Sequence, residues 1–128
     1  MLIATMTPDC TLSINTRTGG LTDIAIKAAV NAVLETCELF PLRKVLACQL
    51  DSASLRALCL GMAALTDTHC ALLDQPSPST LDIVSKRGIW QIVQRLFSGK
   101  ALLIATPSVT EAETLCERIG TNSVLTQY

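Results

Sequence analysis

Three short apolar runs in this chain each end in an acidic or hydroxyl residue and lead directly into a helix start. They are LACQLDSASLRAL at 46–58, CALLDQPSPSTLDIV at 70–84 and LLIATPSVTEAETL at 102–115. Strands that alternate with helices in this way are typical of a parallel α/β sheet. Because such sheets bind ligands outside the carboxyl ends of their strands, the polar residues of these junctions are candidate ligand-binding residues. They are Asp51, Ser52, Asp74, Ser77, Thr106 and Ser108.

The pattern predicts a single α/β domain over residues 1–128, with the order β-β-α-β-α-β-α-β-α and a mixed sheet. Leu2–Met6 and Thr11–Arg17 alternate polar and apolar residues, which favours a hairpin or two edge strands. The predicted central parallel strands are Val45–Leu50, His69–Asp74 and Ala101–Thr106, with Leu46, Leu72 and Leu103 buried. The tail NSVLTQY is predicted as a short edge strand or a loose end.

Four helices are predicted from caps and apolar spacing. Thr22 caps the first, which ends before Pro41 and buries a stripe of apolar residues at helical spacing. The second begins at Ser52 or Ser54 and ends near Thr66. The third spans Ser79–Phe97, with Gly88 as a potential break and Gly99 after its end. Capping boxes at Ser108 or Thr110 begin the last helix, which is predicted to run to Ile119 with Gly120 as its C′ residue.

Composition excludes several functional classes. The net charge of −1 gives no electrostatic footprint for nucleic acid. No apolar stretch reaches the ~20 residues needed to cross a bilayer, so membrane insertion is not predicted. The N-terminus has no basic segment followed by an apolar one, and we therefore predict a cytoplasmic location. The apolar content is nevertheless high, at 49% with a mean hydropathy of +0.43, which predicts that a partner or dimer covers part of the surface.

The six cysteines and the single histidine could suggest a metal or redox site. Cys37, Cys48, Cys59 and Cys70 are spaced by 11 residues, but the predicted elements alternate between helix and strand at these positions. There is no C-x-x-C motif, and His69 has only Cys70 beside it. We therefore interpret the cysteines as free, buried packing residues and predict neither a metal nor a cofactor.

The order of elements and the segment DSASLRAL at 51–58 resemble the STAS domains of anti-anti-sigma factors and the related sporulation-factor-like group. The junction of that family reads Asp-Ser-Ser-Gly-Leu. Asp51, Ser52 and Leu55 match it, whereas Ala53 and Ser54 replace the second serine and the glycine. The loop Gln75–Pro78 and the acidic helix around Glu111 also echo the family. The similarity covers residues 21–119.

This resemblance implies a regulatory or protein-interaction module in which a partner kinase phosphorylates Ser52. A helix N-terminus accommodates a phosphate of charge about −2, which supports the idea physically. The alternative is that Ser52 or Ser54 only caps the helix.

A second functional class is a small-molecule-binding or enzymatic α/β domain that uses the same polar edge. Asp51, Asp74 and Thr106 end strands that are predicted to be neighbours. Against an enzyme, His69 lies at the opposite end of its strand, and the sequence has no G-x-G-x-x-G, G-x-x-x-x-G-K or G-x-S-x-G motif. The sequence therefore favours a non-enzymatic role.

Large apolar residues surround much of the helix predicted over Ser79–Phe97, more than one buried stripe requires. We therefore predict that part of this helix lies in a homodimer or in an interface with a protein partner. Trp90 and Phe97 are the candidate interface residues, with Trp90 as the anchor.

Overall fold

The computed structural model describes residues 6–17, 22–66 and 68–121. In these ranges, helices cover one face of a two-stranded parallel sheet. The helices and strands are α1 (Pro8–Arg17), α2 (Asp23–Thr36), α3 (Ser52–Ala64), β1 (Cys70–Asp74), α4 (Ile83–Leu96), β2 (Ala101–Ala105) and α5 (Val109–Leu115). Two short 3₁₀ turns, Phe40–Leu42 and Ala47–Gln49, lie between α2 and α3. The chain is thus a small mixed α/β structure, as the alternating pattern predicts.

Local capping chemistry explains where three helices begin. The Thr22 hydroxyl accepts a hydrogen bond from the Ala25 amide at 3.4 Å, so α2 starts at its predicted cap. The Asp82 carboxylate accepts from the Val84 and Ser85 amides at 3.0 and 3.3 Å. Helix α4 therefore starts at Ile83, four positions later than predicted, and it continues unbroken through Gly88. The Ser108 hydroxyl accepts from the Glu111 amide at 3.3 Å and caps α5.

The core lies between the helices and the inner face of the sheet. Helix α1 packs on α2, and α3 packs on α4. Apolar side chains recur at helical spacing and are buried on each helix, as the periodicity of α2 predicts. The main ones are Ile26, Val30 and Leu34 of α2, Ala57, Leu58 and Leu60 of α3, and Ile89, Ile92 and Val93 of α4.

The two strands pair in parallel, with Cys70 opposite Ala101 and Asp74 opposite Ala105. The prediction of parallel strands is confirmed for these two segments. Their inner side chains, Ala71, Leu73, Leu102 and Ile104, pack against the core. The prediction that Leu72 and Leu103 are buried is wrong, since their side chains are 75% and 68% exposed. They point to the other face of the sheet, which no described element covers.

The third predicted central strand does not form. In Val45–Leu50 the chain makes the 3₁₀ turn Ala47–Gln49, and Leu46 is 39% exposed. The Ala47 amide donates to the Met6 carbonyl at 2.8 Å, and only Ala47 of this turn is buried. A short apolar run does not distinguish a strand from a helical turn by periodicity alone.

The prediction of an N-terminal hairpin or two edge strands is also wrong for the second strand. Thr11–Arg17 forms most of helix α1, in which Pro8 occupies the first turn, where its missing N–H costs nothing. The Arg43 guanidinium forms an ion pair with Asp9 at 3.1 Å and lies over the Phe40 ring, which ties α1 to the first 3₁₀ turn. Residues 1–5 of the first predicted strand lie outside the described residues.

The end of the described chain also differs from the prediction. Helix α5 ends at Leu115 rather than Ile119, so Gly120 is not its C′ residue. The tail NSVLTQY lies outside the described residues. Among the helices that are described, none combines the length and the hydropathy of a membrane span.

Gly61 lies where α3 packs tightly against the C-terminal part of α2. A Cβ atom at this position would lie 2.7 Å from Val33 Cγ1 and 3.3 Å from Cys37 Sγ. Both neighbours are core side chains, and Val33 is β-branched and therefore stiff. At Gly88 in α4, by contrast, an added Cβ would meet nothing within 4 Å.

We predict that Gly61→Ala lowers the free energy of unfolding by about 1–3 kcal/mol, because overpacking outweighs the gain in helix propensity. Gly88→Ala is the matched control and should be neutral or stabilising by up to about 1 kcal/mol. Urea unfolding followed by circular dichroism measures both. Equal stabilities of the two variants would contradict the close packing of α3 on α2.

Candidate functional site

The loop that follows β1 is held from one side by α3. The Arg56 guanidinium donates from Nε to the Pro76 carbonyl at 2.8 Å. Its Nη2 donates to the Asp74 carbonyl at 3.2 Å and also to the Gln75 carbonyl. One cation therefore binds three consecutive carbonyl groups. Gln75 has a φ of +46°, a left-handed conformation that is uncommon for a residue other than glycine, so these bonds stabilise a strained turn.

The same loop is held from the other side by Glu111 of α5, whose side chain is fully buried. Glu111 Oε1 accepts hydrogen bonds from the Ser77 amide at 3.1 Å, from Trp90 Nε1 at 3.0 Å and from the Ser77 hydroxyl. Its Oε2 accepts from the Thr106 hydroxyl. Donors therefore surround both carboxyl oxygens, which offsets the cost of burying this polar group.

The hydroxyl groups at the end of β2 are engaged in this local structure. Thr106 donates to Glu111 and accepts from the Ser108 amide at 3.1 Å, whereas the Ser108 hydroxyl caps α5. The Ser77 hydroxyl also accepts from Trp90 Nε1 at 3.0 Å and is buried. The structure thus brings Ser77, Thr106 and Ser108 together, as predicted. Their hydroxyls make hydrogen bonds within the protein and are therefore not free to bind a ligand.

Asp74 differs from these residues because its carboxylate is exposed at the carboxyl end of β1. In the described part of the chain it makes no hydrogen bond or ion pair through its side chain. Its backbone is fixed, since Asp74 pairs with Ala105 and the next amide, that of Gln75, donates to the Ala105 carbonyl at 2.8 Å. A free carboxylate on a fixed backbone is suited to a cation.

Asp51 and Ser52 lie at the start of α3, where the structure confirms the predicted helix start. Asp51 is the N-cap residue and Ser52 is the first residue of the helix, and both are exposed. Hydrogen bonding from the Ser54 side chain lowers the pKa of the Asp51 carboxyl. Val45–Leu50 is not a strand, so Asp51 does not end a strand beside Asp74, contrary to the prediction.

Trp90 and Phe97 lie inside the chain, with side chains 6% and 4% exposed. Trp90 packs in α4 with its indole N–H directed at Ser77 and Glu111. Phe97 therefore packs in the core, and Trp90 is buried and donates hydrogen bonds to residues at the carboxyl edge of the sheet. A homodimer or a protein partner remains a prediction. Trp90 and Phe97 are not among the exposed apolar residues that could form such an interface.

All six cysteines are free thiols, but they do not pack as predicted. Only Cys37 is buried, and this burial raises the pKa of its thiol to about 12. Cys10, Cys48, Cys59 and Cys70 are exposed, so their interpretation as core residues is wrong. His69 is exposed just before β1. Among the described residues, no three His, Cys, Asp or Glu side chains form a group that could hold a metal ion.

A groove in the described structure lies away from Asp74. It has a volume of about 740 Å³ and runs between α4, β2 and the segment after α5. Apolar side chains of β2 line it together with Lys100, Glu117 and Arg118. The groove is broad and open, and it follows the unpaired side of β2 rather than the carboxyl edge of the sheet.

Two residues that organise the edge were not predicted. Glu111 is predicted only as part of an acidic helix, and Arg56 only as part of the helix that begins at Ser52 or Ser54. For Glu111, the sequence signal is an acidic residue at a core-facing helix position. Arg56 has no local sequence signal, because it contacts a loop about 20 residues further along the chain.

The chain is similar to ATP-binding proteins of the ABC type. It is 31% identical over 101 residues to ABC transporter A family member 11 of Arabidopsis thaliana, a match that covers 79% of this chain and 10% of that protein. It is 32% identical over 105 residues to ATP-binding cassette sub-family A member 17 of Mus musculus, covering 81% of this chain and 6% of that protein. No protein-family model matches the chain.

A shorter relative is Nod factor export ATP-binding protein I of Bradyrhizobium diazoefficiens, which is 32% identical over 101 residues. The match covers 78% of this chain and 33% of that protein. This chain thus spans from about a tenth to a third of the plant and bacterial relatives it matches.

Solved structures show the same likeness at the level of the fold. An ATP-binding cassette of an ABC transporter, in its ADP conformation, superposes with a TM-score of 0.69 at 16% identity. The superposition covers 88% of this chain and 50% of that chain. The RNase-L inhibitor superposes with a TM-score of 0.63 at 18% identity, covering 88% of this chain and 21% of its own. The fold therefore resembles a fragment of an ABC ATPase domain.

These similarities overturn the resemblance to STAS domains. The sequence relatives and the structural neighbours are ABC proteins. The interpretation of the chain as a regulatory module phosphorylated at Ser52 is therefore wrong. The Asp-Ser and Leu matches at 51, 52 and 55 reflect a helix start that follows an apolar run, a pattern that unrelated α/β proteins share.

We predict that Glu111→Ala lowers the free energy of unfolding by at least about 2 kcal/mol, because buried donors of Ser77 and Thr106 lose their acceptor. Glu113→Ala, at an exposed position of the same helix, is the control and should change stability by less than about 0.5 kcal/mol. The chain has one tryptophan, so the emission of Trp90 reports directly on this network. Unchanged emission and stability in Glu111→Ala would contradict the network.

We predict that Arg56→Lys preserves the fold but loosens the loop after β1, since an ammonium group cannot match the guanidinium fork. The amides of Gln75 and Ser77 should exchange hydrogen faster, which NMR measures residue by residue. Arg95→Lys, at an exposed position in the last turn of α4, is the control. Equal exchange rates in both variants would show that Arg56 does not hold the loop.

Proposed function

We propose that the chain is part of an ATP-binding domain of the ABC type and binds a nucleotide with its Mg²⁺ ion through Asp74. The observation that carries this proposal is the free, exposed carboxylate of Asp74 at the carboxyl end of β1. Open α/β sheets bind their ligands at this edge. The names of the relatives, which include "ATP-binding cassette" and "export ATP-binding protein", support the same function.

The donor set at this edge fits Mg²⁺. Mg²⁺ in nucleotide sites is held by one or two carboxylates together with phosphate oxygens and waters, so a cage of protein ligands is not required. In P-loop NTPases an Asp helps to hold this ion. When bound, the ion would neutralise charge on the phosphate groups. Asp74 would hold the ion, and Arg56 would fix the backbone that carries Asp74.

The edge supplies only part of a nucleotide site. The 128 residues contain no G-x-x-x-x-G-K-[ST] segment, whose backbone amides cradle the phosphates in P-loop NTPases. Glu111 is not available as a general base, because hydrogen bonds from Ser77, Trp90 and Thr106 occupy both of its oxygens. We therefore propose binding by Asp74 and assign no hydrolytic step to this edge.

The cytoplasmic location predicted from the sequence is retained as a proposal, because ATP and Mg²⁺ are plentiful in that compartment.

We expect Mn²⁺–ATP to broaden the NMR signals of amides near Asp74 and Thr106, because Mn²⁺ replaces Mg²⁺ at oxygen ligands. Asp74→Asn should remove the broadening while the protein stays folded, since the side chain is exposed. Glu35→Gln, which neutralises an exposed carboxylate on α2, is the control and should leave the broadening intact. Broadening that persists in Asp74→Asn, or that arises only at other sites, would overturn the proposal.

A further inference from the structure

Asp74 lies at the point where the two strands of the sheet end together. It pairs with Ala105 in the strand register, and the next amide, that of Gln75, donates to the Ala105 carbonyl at 2.8 Å. Beyond this pair the two segments separate, one into the loop after β1 and the other into Thr106. In the described part of the chain, no third strand lies beside β1 or β2. The direction of the Asp74 carboxylate therefore depends on what holds the two segments together beyond their last pair.

Glu111 joins the two segments just beyond that pair. Its Oε1 accepts from the Ser77 amide at 3.1 Å, three residues after Asp74, and its Oε2 accepts from the Thr106 hydroxyl. The loop after Asp74, the Glu111 side chain and the end of β2 thus form a closed ring of covalent and hydrogen bonds. Because Glu111 is fully buried, bulk water does not compete for these bonds.

Helix α4 fixes the carboxyl group of this ring. Trp90 Nε1 donates to Glu111 Oε1 at 3.0 Å and to the Ser77 hydroxyl at 3.0 Å, and Trp90 is itself buried. The ring is therefore anchored in the core of the protein. The Asp74 carboxylate takes no part in it and stays exposed, so the ring restrains the backbone of Asp74 without using its side chain.

We propose that Glu111 is a positioning residue for the ion-binding carboxylate of Asp74. It contacts neither the ion nor the nucleotide, and it acts by tying the loop after β1 to the end of β2. Arg56 holds the same loop from the other side through its carbonyl groups. The proposal rests on the proposed function, since the position of Asp74 matters for a ligand only if Asp74 binds one. Groups that orient a metal ligand typically account for about 10- to 100-fold in metal affinity.

The test is a titration with Mn²⁺–ATP, in which the midpoint of the broadening of amides near Asp74 is measured by NMR. Glu111→Ala opens the ring and should raise this midpoint at least about tenfold. Glu111→Gln keeps the length of the side chain and an oxygen for the Ser77 amide, and its NH₂ group can donate to the Thr106 hydroxyl. This variant should therefore stay within about threefold of the wild type.

A control is needed for the loss of stability that Glu111→Ala causes. Val30 is buried in α2, a helix that carries neither Arg56 nor Glu111, so Val30→Ala destabilises the core but leaves the ring intact. All variants are compared at a temperature at which each is folded. Val30→Ala should keep the wild-type midpoint. Without metal or nucleotide, the Gln75 amide should exchange hydrogen faster in Glu111→Ala than in Val30→Ala.

The outcomes separate this proposal from the proposed function. If the wild type binds Mn²⁺–ATP at Asp74 and Glu111→Ala binds it equally well, the positioning role is refuted and the proposed function stands. The positioning role is also refuted if Val30→Ala weakens binding as much as Glu111→Ala, or if Glu111→Gln restores nothing. Absence of broadening near Asp74 in the wild type would refute both.

Discussion

The buried carboxyl group of Glu111 is the interaction on which the carboxyl edge of the sheet depends. A carboxyl group in the interior is costly unless donors saturate it, and these donors come from the loop after β1, from α4 and from the end of β2. Ser77, Trp90 and Thr106 are far apart in sequence. Their convergence on one side chain sets the relative positions of the three elements that form the edge.

Arg56 acts on the same loop from the opposite side. Its guanidinium binds the carbonyls of residues 74–76, whereas Glu111 binds the amide of Ser77. The backbone carbonyls of residues 74–76 and the Ser77 amide are thereby fixed, which holds the left-handed turn at Gln75. The backbone of Asp74 is thus held while its carboxylate stays free. Such preorganisation allows a site to bind an ion with little loss of conformational entropy.

The parts of the fold that were predictable are those with local causes. The caps at Thr22 and Ser108 and the alternation of strand and helix after residue 69 depend on neighbours within a few positions, and they are confirmed. Val45–Leu50 and Thr11–Arg17 were predicted as strands because a short apolar or alternating run fits both strand and helix. Tertiary contacts decide between them, and these contacts are not visible in the sequence.

The candidate site was predictable to the same extent. The pattern predicts six polar residues at one edge. The structure places Asp74, Ser77, Thr106 and Ser108 there, whereas Asp51 and Ser52 follow a 3₁₀ turn and begin α3. The pattern could not show which of them are free, because that depends on Glu111, Arg56 and Trp90, whose contacts span 20 residues or more or cross between elements. The STAS resemblance failed for a related reason, since its matching residues describe a helix start rather than the packing around it.

Trp90 and Phe97, the residues predicted at an interface, are buried within the chain. The helix that carries Trp90 was predicted to bear more large apolar side chains than one buried stripe requires, yet Ile89, Trp90, Ile92 and Val93 are all buried, because α4 packs against α2, α3 and α5. A strand cannot turn its outward residues inward, because successive side chains alternate strictly between the two faces. When one face of β1 and β2 packs on the core, the other must meet either solvent or a partner. Leu72 and Leu103 are therefore a stronger indication of an interface than any number of apolar residues on a helix.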